Sequence, residues 1–145
     1  MTTTPASIAT SASAAASTAS TRSLGDLLAR HQQHVYVALR VLTGLLFSFH
    51  GAQKLFDWFM PPGIEIPVGS QVWIGSIIEL ATGLLIASGR LLRPAAFLAS
   101  GTMAVAYIQF HWKLAFDAQF LPAVNGGEPA LVFAVLFLFF ACRGK

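Results

Sequence analysis

An apolar segment from Gln71 to Arg93 carries a single carboxylate, Glu79, and ends in a basic turn. An ionisable side chain in hydrocarbon is costly, so such a carboxylate is usually kept for a purpose and needs a neutralising partner. The whole chain is 55% hydrophobic and only 10% charged. An average soluble domain is about 25% charged. The sequence therefore predicts an all-α integral membrane protein.

Four apolar segments predict a four-helix transmembrane bundle, with spans at about 35–56, 72–88, 94–112 and 129–142. The first span is long enough to cross about 30 Å of hydrocarbon at 1.5 Å per helical residue. Three prolines within residues 57–70 favour a surface loop between the first two spans.

The beginning of the chain has a different composition, because residues 1–23 are almost entirely Ala, Ser and Thr. Such a tail buries too little apolar surface to offset its ordering entropy, so we expect it to be disordered. It lacks the basic start and leucine-rich core of a secretory signal. Residues 24–34 predict a short amphipathic lead-in at the membrane surface, so the membrane domain is expected to cover residues 24–145.

Basic residues are concentrated on one side of the predicted bundle. Seven of them, with one acid, lie in the N-terminal region, the loop between spans two and three, and the C-terminus. Cytoplasmic segments of membrane proteins carry the excess of Lys and Arg, so we expect both termini in the cytoplasm. The seven form no continuous stripe, so no nucleic acid partner is expected. They are Arg22, Arg30, Arg40, Arg90, Arg93, Arg143 and Lys145.

The helical rise gives the depth of each polar side chain above the arginines of the inner face. Counting from Arg40, His50 lies about 15 Å up and Lys54 about 21 Å. Counting back from Arg90, Glu79 lies about 16 Å up. His50 and Lys54 are four residues apart and share a helix face. We therefore expect Glu79 to lie level with His50 and within reach of Lys54.

Polar residues of the last two spans reach similar depths. Counting from Arg93, Tyr107 lies about 21 Å up and His111 about 27 Å, while Glu128 lies about 22 Å above Arg143. These depths predict a polar pocket that opens to the external side of the membrane. Its expected members are His50, Lys54, Glu79, Tyr107, His111, Asn125 and Glu128.

Two interpretations of this pocket remain open. In the first, a carboxylate, an imidazole and a phenol relay protons to a bound quinone or small substrate. In the second, Glu79 pairs with Lys54 or His50 only to hold the first two helices together. Neither interpretation establishes a catalytic residue. Small residues let neighbouring helices approach closely, and this packing role is expected for Gly44, Gly51, Gly75 and Gly83.

Other cofactor sites are not expected. The single cysteine, Cys142, excludes an internal disulfide and any multi-cysteine metal site. His50 and His111 differ by about 12 Å in depth, so they are poorly placed to bind one haem iron from opposite sides. No zinc spacing or phosphate-binding glycine loop occurs, so no metal or nucleotide site is predicted.

Three short patterns together resemble a known family. They are Arg40 … Gly44 … Phe47 … His50-Gly51 … Lys54-Leu55, then Gly75 … Glu79 … Gly83 … Gly89 … Arg93, and then Asn125-Gly126-Gly127-Glu128. In order and spacing, over about residues 36–142, they resemble the DoxX family of small four-helix bacterial membrane proteins. The resemblance implies a location in the bacterial inner membrane.

The resemblance also implies a redox setting. Founding members of the family look like subunits of a thiosulfate:quinone oxidoreductase, and some relatives are similar to membrane partners of redox-stress enzymes. The sequence contains a single DoxX unit, so we do not expect independent enzymatic activity. We expect a membrane subunit or anchor of a redox system, with the lipid bilayer, an oxidoreductase partner, quinone or a second copy as binding partners. The alternatives are a small-solute or proton transporter, and a scaffold without a ligand.

Overall fold

The structure is a computed structural model that describes residues 24–145. The predicted disorder of residues 1–23 lies outside the described residues. All regular secondary structure in the described range is helical, which confirms the all-α prediction. The chain divides into two compact units, one ending at Tyr36 and the other running from Val37 to Lys145.

Five α-helices form the described part of the chain. They are α1 (Leu24–Phe56), α2 (Gln71–Ser88), α3 (Leu92–Ala106), α4 (Pro122–Asn125) and α5 (Glu128–Arg143). A π-helical segment, Tyr107–Trp112, continues α3 without a break, and a 3-10 turn, Ala118–Phe120, precedes α4.

The helices occur close to the predicted spans, with two differences. The expected amphipathic lead-in is not a separate element, because α1 is continuous from Leu24 to Phe56. The loop predicted after the third span contains the 3-10 turn and α4. Two described helices, α1 and α2, are long and apolar enough to cross a membrane. The other two large helices are shorter, with 15 residues in α3 and 16 in α5.

Capping residues in the sequence define both ends of helix α2. The Ser70 hydroxyl accepts a hydrogen bond from the backbone N–H of Trp73 at 3.2 Å, as an N-cap residue does. At the other end Gly89 adopts a left-handed conformation with φ 73°, which costs glycine nothing. Its N–H donates to the carbonyl of Ile86 at 3.1 Å. The chain therefore turns at once into α3.

Helices α1 and α2 pack with their backbones in close contact. A Cβ atom placed on Gly44 would lie 2.6 Å from the backbone nitrogen of Ala87, and one on Gly51 would lie 2.5 Å from that of Leu80. A Cβ on Gly83 would lie 2.6 Å from the carbonyl oxygen of Gly44. These three glycines therefore allow an approach that any larger residue would prevent.

Aromatic and hydroxyl side chains attach α5 to the other helices. The ring of Phe47 in α1 lies 4.6 Å from that of Phe137 in α5, between ring centroids. Phe137 is fully buried. The Ser100 hydroxyl of α3 donates to the carbonyl of Ala134 at 2.7 Å. The outer faces are apolar instead, with Phe97 68% and Val132 61% exposed, as suits contact with lipid.

Candidate ligand site beside a buried ion pair

An ion pair joins the end of α1 to the middle of α2. The Lys54 ammonium donates to both carboxylate oxygens of Glu79, at 2.7 and 2.8 Å. Glu79 is buried, with 6% of its surface exposed, whereas the Lys54 side chain is 31% exposed. Gly51, one turn before Lys54, brings the two helix backbones together and so places the pair within reach.

The lysine of this pair keeps one donor unused. An ammonium group has three N–H donors, and two of them serve the oxygens of Glu79. Lys54 and Glu79 both line a groove of about 720 Å³. A ligand in the groove could therefore accept the third hydrogen bond from an ammonium that Glu79 already holds in position.

The groove lies between α2 and the continuous helix formed by α3 and the π segment. Gly75 and Gly101 help to create the space, because a Cβ atom on either would meet no other atom within 4 Å. The groove is open on one side, and its flanking side chains Ile74, Phe97 and Leu98 are each at least half exposed. Apart from the ion pair, most lining side chains are apolar. They include Val72, Ile74, Ile78, Phe97, Leu98, Met103, Val105 and Phe110.

The π segment brings a third titratable side chain, His111, to the groove. The Nδ1 atom of His111 lies 3.2 Å from the backbone carbonyl oxygen of Asn125. A carbonyl oxygen only accepts hydrogen bonds, so Nδ1 carries a proton and Nε2 of the neutral ring is an acceptor. The His111 ring also stacks on that of Tyr107, with centroids 6.4 Å apart. The π segment forms the end of the helix that begins at Leu92, and it brings His111 into the groove wall.

The turn before α5 packs against the π segment. The side chain of Asn125 donates to the carbonyl of Gln119 at 2.8 Å and accepts from the N–H of Gly127 at 2.7 Å. A Cβ atom on Gly127 would lie 2.6 Å from Cε2 of Tyr107, so the turn lies directly on that ring. The Tyr107 hydroxyl donates to the carbonyl of Phe120 at 3.4 Å. Asn125 and Tyr107 therefore support His111 without lining the groove.

The structure does not bring every predicted pocket residue to the groove. His50 and Glu128 are exposed and do not line it, and Tyr107 contacts the turn before α5 instead. The depth argument gave heights along the helices but no angular positions. Four residues turn a helix by about 400°, so His50 lies about 40° around α1 from Lys54 as well as one turn below it. Glu79 was expected within reach of Lys54, and the two form an ion pair.

Sequence reasoning missed the residues that shape the groove. Gly101 and Thr102 of α3 and Gln71 at the start of α2 all line it. The side chain of Gln71 donates to that of Gln109, so α2 and the π segment are bridged next to the groove. An isolated glycine within an apolar span was the available signal for Gly101. Within residues 24–145 no three His, Cys, Asp or Glu side chains form a group that could hold a metal ion.

Comparisons with known proteins agree with the resemblance in the sequence. The DoxX family profile matches residues 35–112, which include the ion pair and His111. An uncharacterized protein of Haemophilus influenzae is 30% identical over 119 residues, covering 81% of this chain and 88% of that protein. No solved structure matches. Over half of the chain fits one family, and the chain therefore belongs to the DoxX family of membrane proteins.

Proposed function

We propose that this chain is a four-span component of a redox system in the bacterial inner membrane, and that its groove binds a quinone. The observation that carries the proposal is an apolar groove, open at the side, that has a positioned ammonium in its wall. Lipid-soluble molecules with a polar head and an apolar tail suit such a site.

Helix lengths and charge support the four-span arrangement. Helices α1 and α2 meet the length and composition expected of membrane spans. The continuous helical segment from Leu92 to Trp112 provides the third span, and α5 the fourth. At 1.5 Å per residue, the 16 residues of α5 reach about 24 Å, which a locally thinned bilayer or snorkelling end residues would accommodate. The excess of Lys and Arg on one side supports a cytoplasmic location for both termini.

The donors and acceptors of the groove match a quinone head. The remaining N–H of Lys54 would donate to a quinone carbonyl oxygen, and Nε2 of His111 would accept a hydrogen bond from the hydroxyl of the reduced form. The isoprenoid tail would lie against α3 and leave through the open side into the bilayer. An exposed apolar rim containing Phe97 and Leu98 suits that exit.

A binding titration tests the proposal. The purified protein in mild detergent is titrated with decylubiquinone, and the emission of its tryptophans is followed, since Trp73 and Trp112 are next to groove residues in the chain. A hydrogen bond to a charged donor contributes about 1.5–3 kcal/mol, so K54M should weaken binding about tenfold or more. K113M is the control, because Lys113 is exposed and does not line the groove.

The same preparations separate this proposal from its two alternatives. Equal affinity in wild type, K54M and K113M would contradict a quinone site at the ion pair. Proton flux through liposomes that is lost in E79Q would favour a transporter instead. A protein that captures an oxidoreductase partner equally well as wild type and E79Q, with no bound quinone, would be a scaffold.

A further inference from the structure

Exposed aromatic side chains surround the end of α1 near Lys54. They are Phe49, Phe56, Trp58 and Phe59. The ring centroids of Phe56 and Trp58 lie 5.3 Å apart, and those of Phe49 and Phe59 lie 6.3 Å apart. Phe59 is 84% exposed despite this contact. Most of this aromatic surface is therefore left uncovered by the chain.

The backbone turns back on itself after α1. Asp57 and Phe59 both adopt left-handed conformations, with φ 54° and 58°. The N–H of Trp58 donates to the carbonyl of Gln53 at 3.1 Å. A bulky residue rarely adopts a left-handed conformation, so the backbone at Phe59 is strained, and this strain accompanies the return of its ring to α1. Residues 56–59 are called the aromatic turn below.

Phe49 connects the aromatic turn to the outer face of α1. At 1.5 Å per residue, Phe49 lies about 10 Å inside the helix end at Phe56. It is 43% exposed on a helix that is long and apolar enough to cross a membrane. The ring of Phe59 therefore continues an apolar surface that begins well inside the first span.

A second exposed aromatic cluster lies at the same end of the bundle. Trp112 ends the π segment, and the rings of Phe116 and Phe120 lie edge-on to it, with centroids 5.6 and 5.5 Å away. Phe116 is 85% exposed. His111, the neighbour of Trp112 in the chain, lines the same groove as Lys54, so both clusters belong to one end of the helices.

We propose that the aromatic turn and the Trp112 cluster insert into the lipid leaflet at this end of the bundle, at the boundary between head groups and acyl chains. Aromatic side chains are suited to that boundary, whereas a large exposed apolar patch is unfavourable in water. The occupant is lipid because Phe59 continues the outer face of a membrane span. The inference depends neither on the quinone groove nor on the orientation of the chain across the membrane.

Fluorescence quenching in lipid nanodiscs tests the insertion. The sequence has three tryptophans, so W73F/W112F retains Trp58 alone. We expect its emission to be lost most with lipids brominated near the head group, less with lipids brominated near the end of the acyl chain, and least with iodide in the water. W58F/W73F reports on Trp112 in the same way. Stronger quenching by iodide than by either lipid would overturn the proposal.

Spin labels at two positions of one loop provide the matched control. In a C142S background, F59C places a nitroxide in the aromatic turn, and E65C places one at an exposed carboxylate position. We expect the label at position 59 to be relaxed more by oxygen, which concentrates in lipid, and the label at position 65 more by a water-soluble nickel complex. This comparison retains all tryptophans, so it still tests the proposal if W73F/W112F does not fold.

The labels also identify the other possible occupants of this surface. A preference for the nickel complex at both positions would place the aromatic turn in water and overturn the proposal. Protection of position 59 from both reagents would show that protein covers the turn instead of lipid. Spin–spin broadening at that position would then identify a second copy of the chain as the covering protein.

Discussion

Lys54 donates to both carboxylate oxygens of Glu79, although the two residues belong to different helices and are 25 positions apart. The pair is asymmetric, because Glu79 is buried and Lys54 is partly exposed along the groove. The carboxylate therefore depends on the lysine for its neutralisation, whereas the lysine retains a donor and access to a ligand. The contact joins the two helices and also leaves a donor for the ligand that we propose, so the two interpretations of the pocket are compatible.

The asymmetry predicts that the two single substitutions differ in their effect on stability. K54M leaves a buried carboxylate without its cation, which costs about 3–5 kcal/mol in a fully buried pair. Lys54 is 31% exposed, so we expect a smaller loss, about 1–3 kcal/mol. E79Q removes the charge but keeps a hydrogen-bonding side chain, so its loss should be smaller. Thermal unfolding in detergent measures both.

The double variant K54M/E79L provides the control for this prediction. Replacing both members of a buried pair by apolar residues is often neutral, so the double variant should be more stable than K54M alone. If the losses of the two sites simply add, the residues are not coupled as the geometry requires.

Replacing glycine by alanine should lower the stability at position 51 and raise it at position 75. G51A places a methyl group 2.5 Å from the backbone nitrogen of Leu80, so α1 and α2 must separate, at a cost of about 1–3 kcal/mol. G75A meets no atom within 4 Å and replaces glycine by a better helix former, a gain of about 0.5–1 kcal/mol. Melting temperatures of the two variants give the comparison. A similar loss in both would contradict the different packing of these glycines.

Helix positions and the acid–amine pair could be predicted from the sequence because they depend on local periodicity and on the scarcity of charge. Glu79 was the single carboxylate in an apolar segment, and Lys54 was among very few cations at a suitable depth. The groove could not be predicted, because it results from the packing of α2 against α3, which brings Gly75 and Gly101 into one wall. The same limit applies to His50, whose depth was calculable while its direction was not.

The π segment was also missed, for a different reason. No residue in Tyr107–Trp112 breaks a helix, so the periodicity there is compatible with a regular α-helix. The extra residue per turn is accompanied by tertiary contacts, the hydrogen bond of His111 with the carbonyl of Asn125 and the contact of Gly127 with Tyr107. Contacts between residues distant in sequence are not visible in the pattern of one segment.

The side-chain hydrogen bonds of Asn125 predict a local effect of N125A. The substitution removes the hydrogen bonds to Gln119 and Gly127, and each contributes about 1 kcal/mol. We expect faster amide hydrogen exchange across residues 118–128 with little change in α1 and α2. Q119A serves as the control, because Asn125 binds the backbone carbonyl of Gln119 and not its side chain. Equal exchange in N125A and Q119A would show that the turn does not depend on Asn125.

Filling the groove with a larger side chain should weaken ligand binding without loss of the fold. G101L would extend an isobutyl group into space where a Cβ atom has no neighbour within 4 Å. Because the side chain enters a groove and not a packed core, we expect the melting temperature to be retained while decylubiquinone binding weakens about tenfold. A81L places the same side chain at an exposed position of α2 outside the groove and should bind normally. Unchanged binding in G101L would place the ligand elsewhere.

The proposed orientation predicts which turns can be labelled from outside the cell. With Cys142 replaced by serine, single cysteines are introduced at Gln119 and Arg90, both of which are exposed. In the proposed orientation the turn at Arg90, where Lys and Arg are in excess, lies in the cytoplasm, and the turn containing Gln119 lies on the external side. A membrane-impermeant maleimide should therefore label Q119C in intact spheroplasts and R90C only after permeabilisation. The reverse pattern would contradict the proposed orientation.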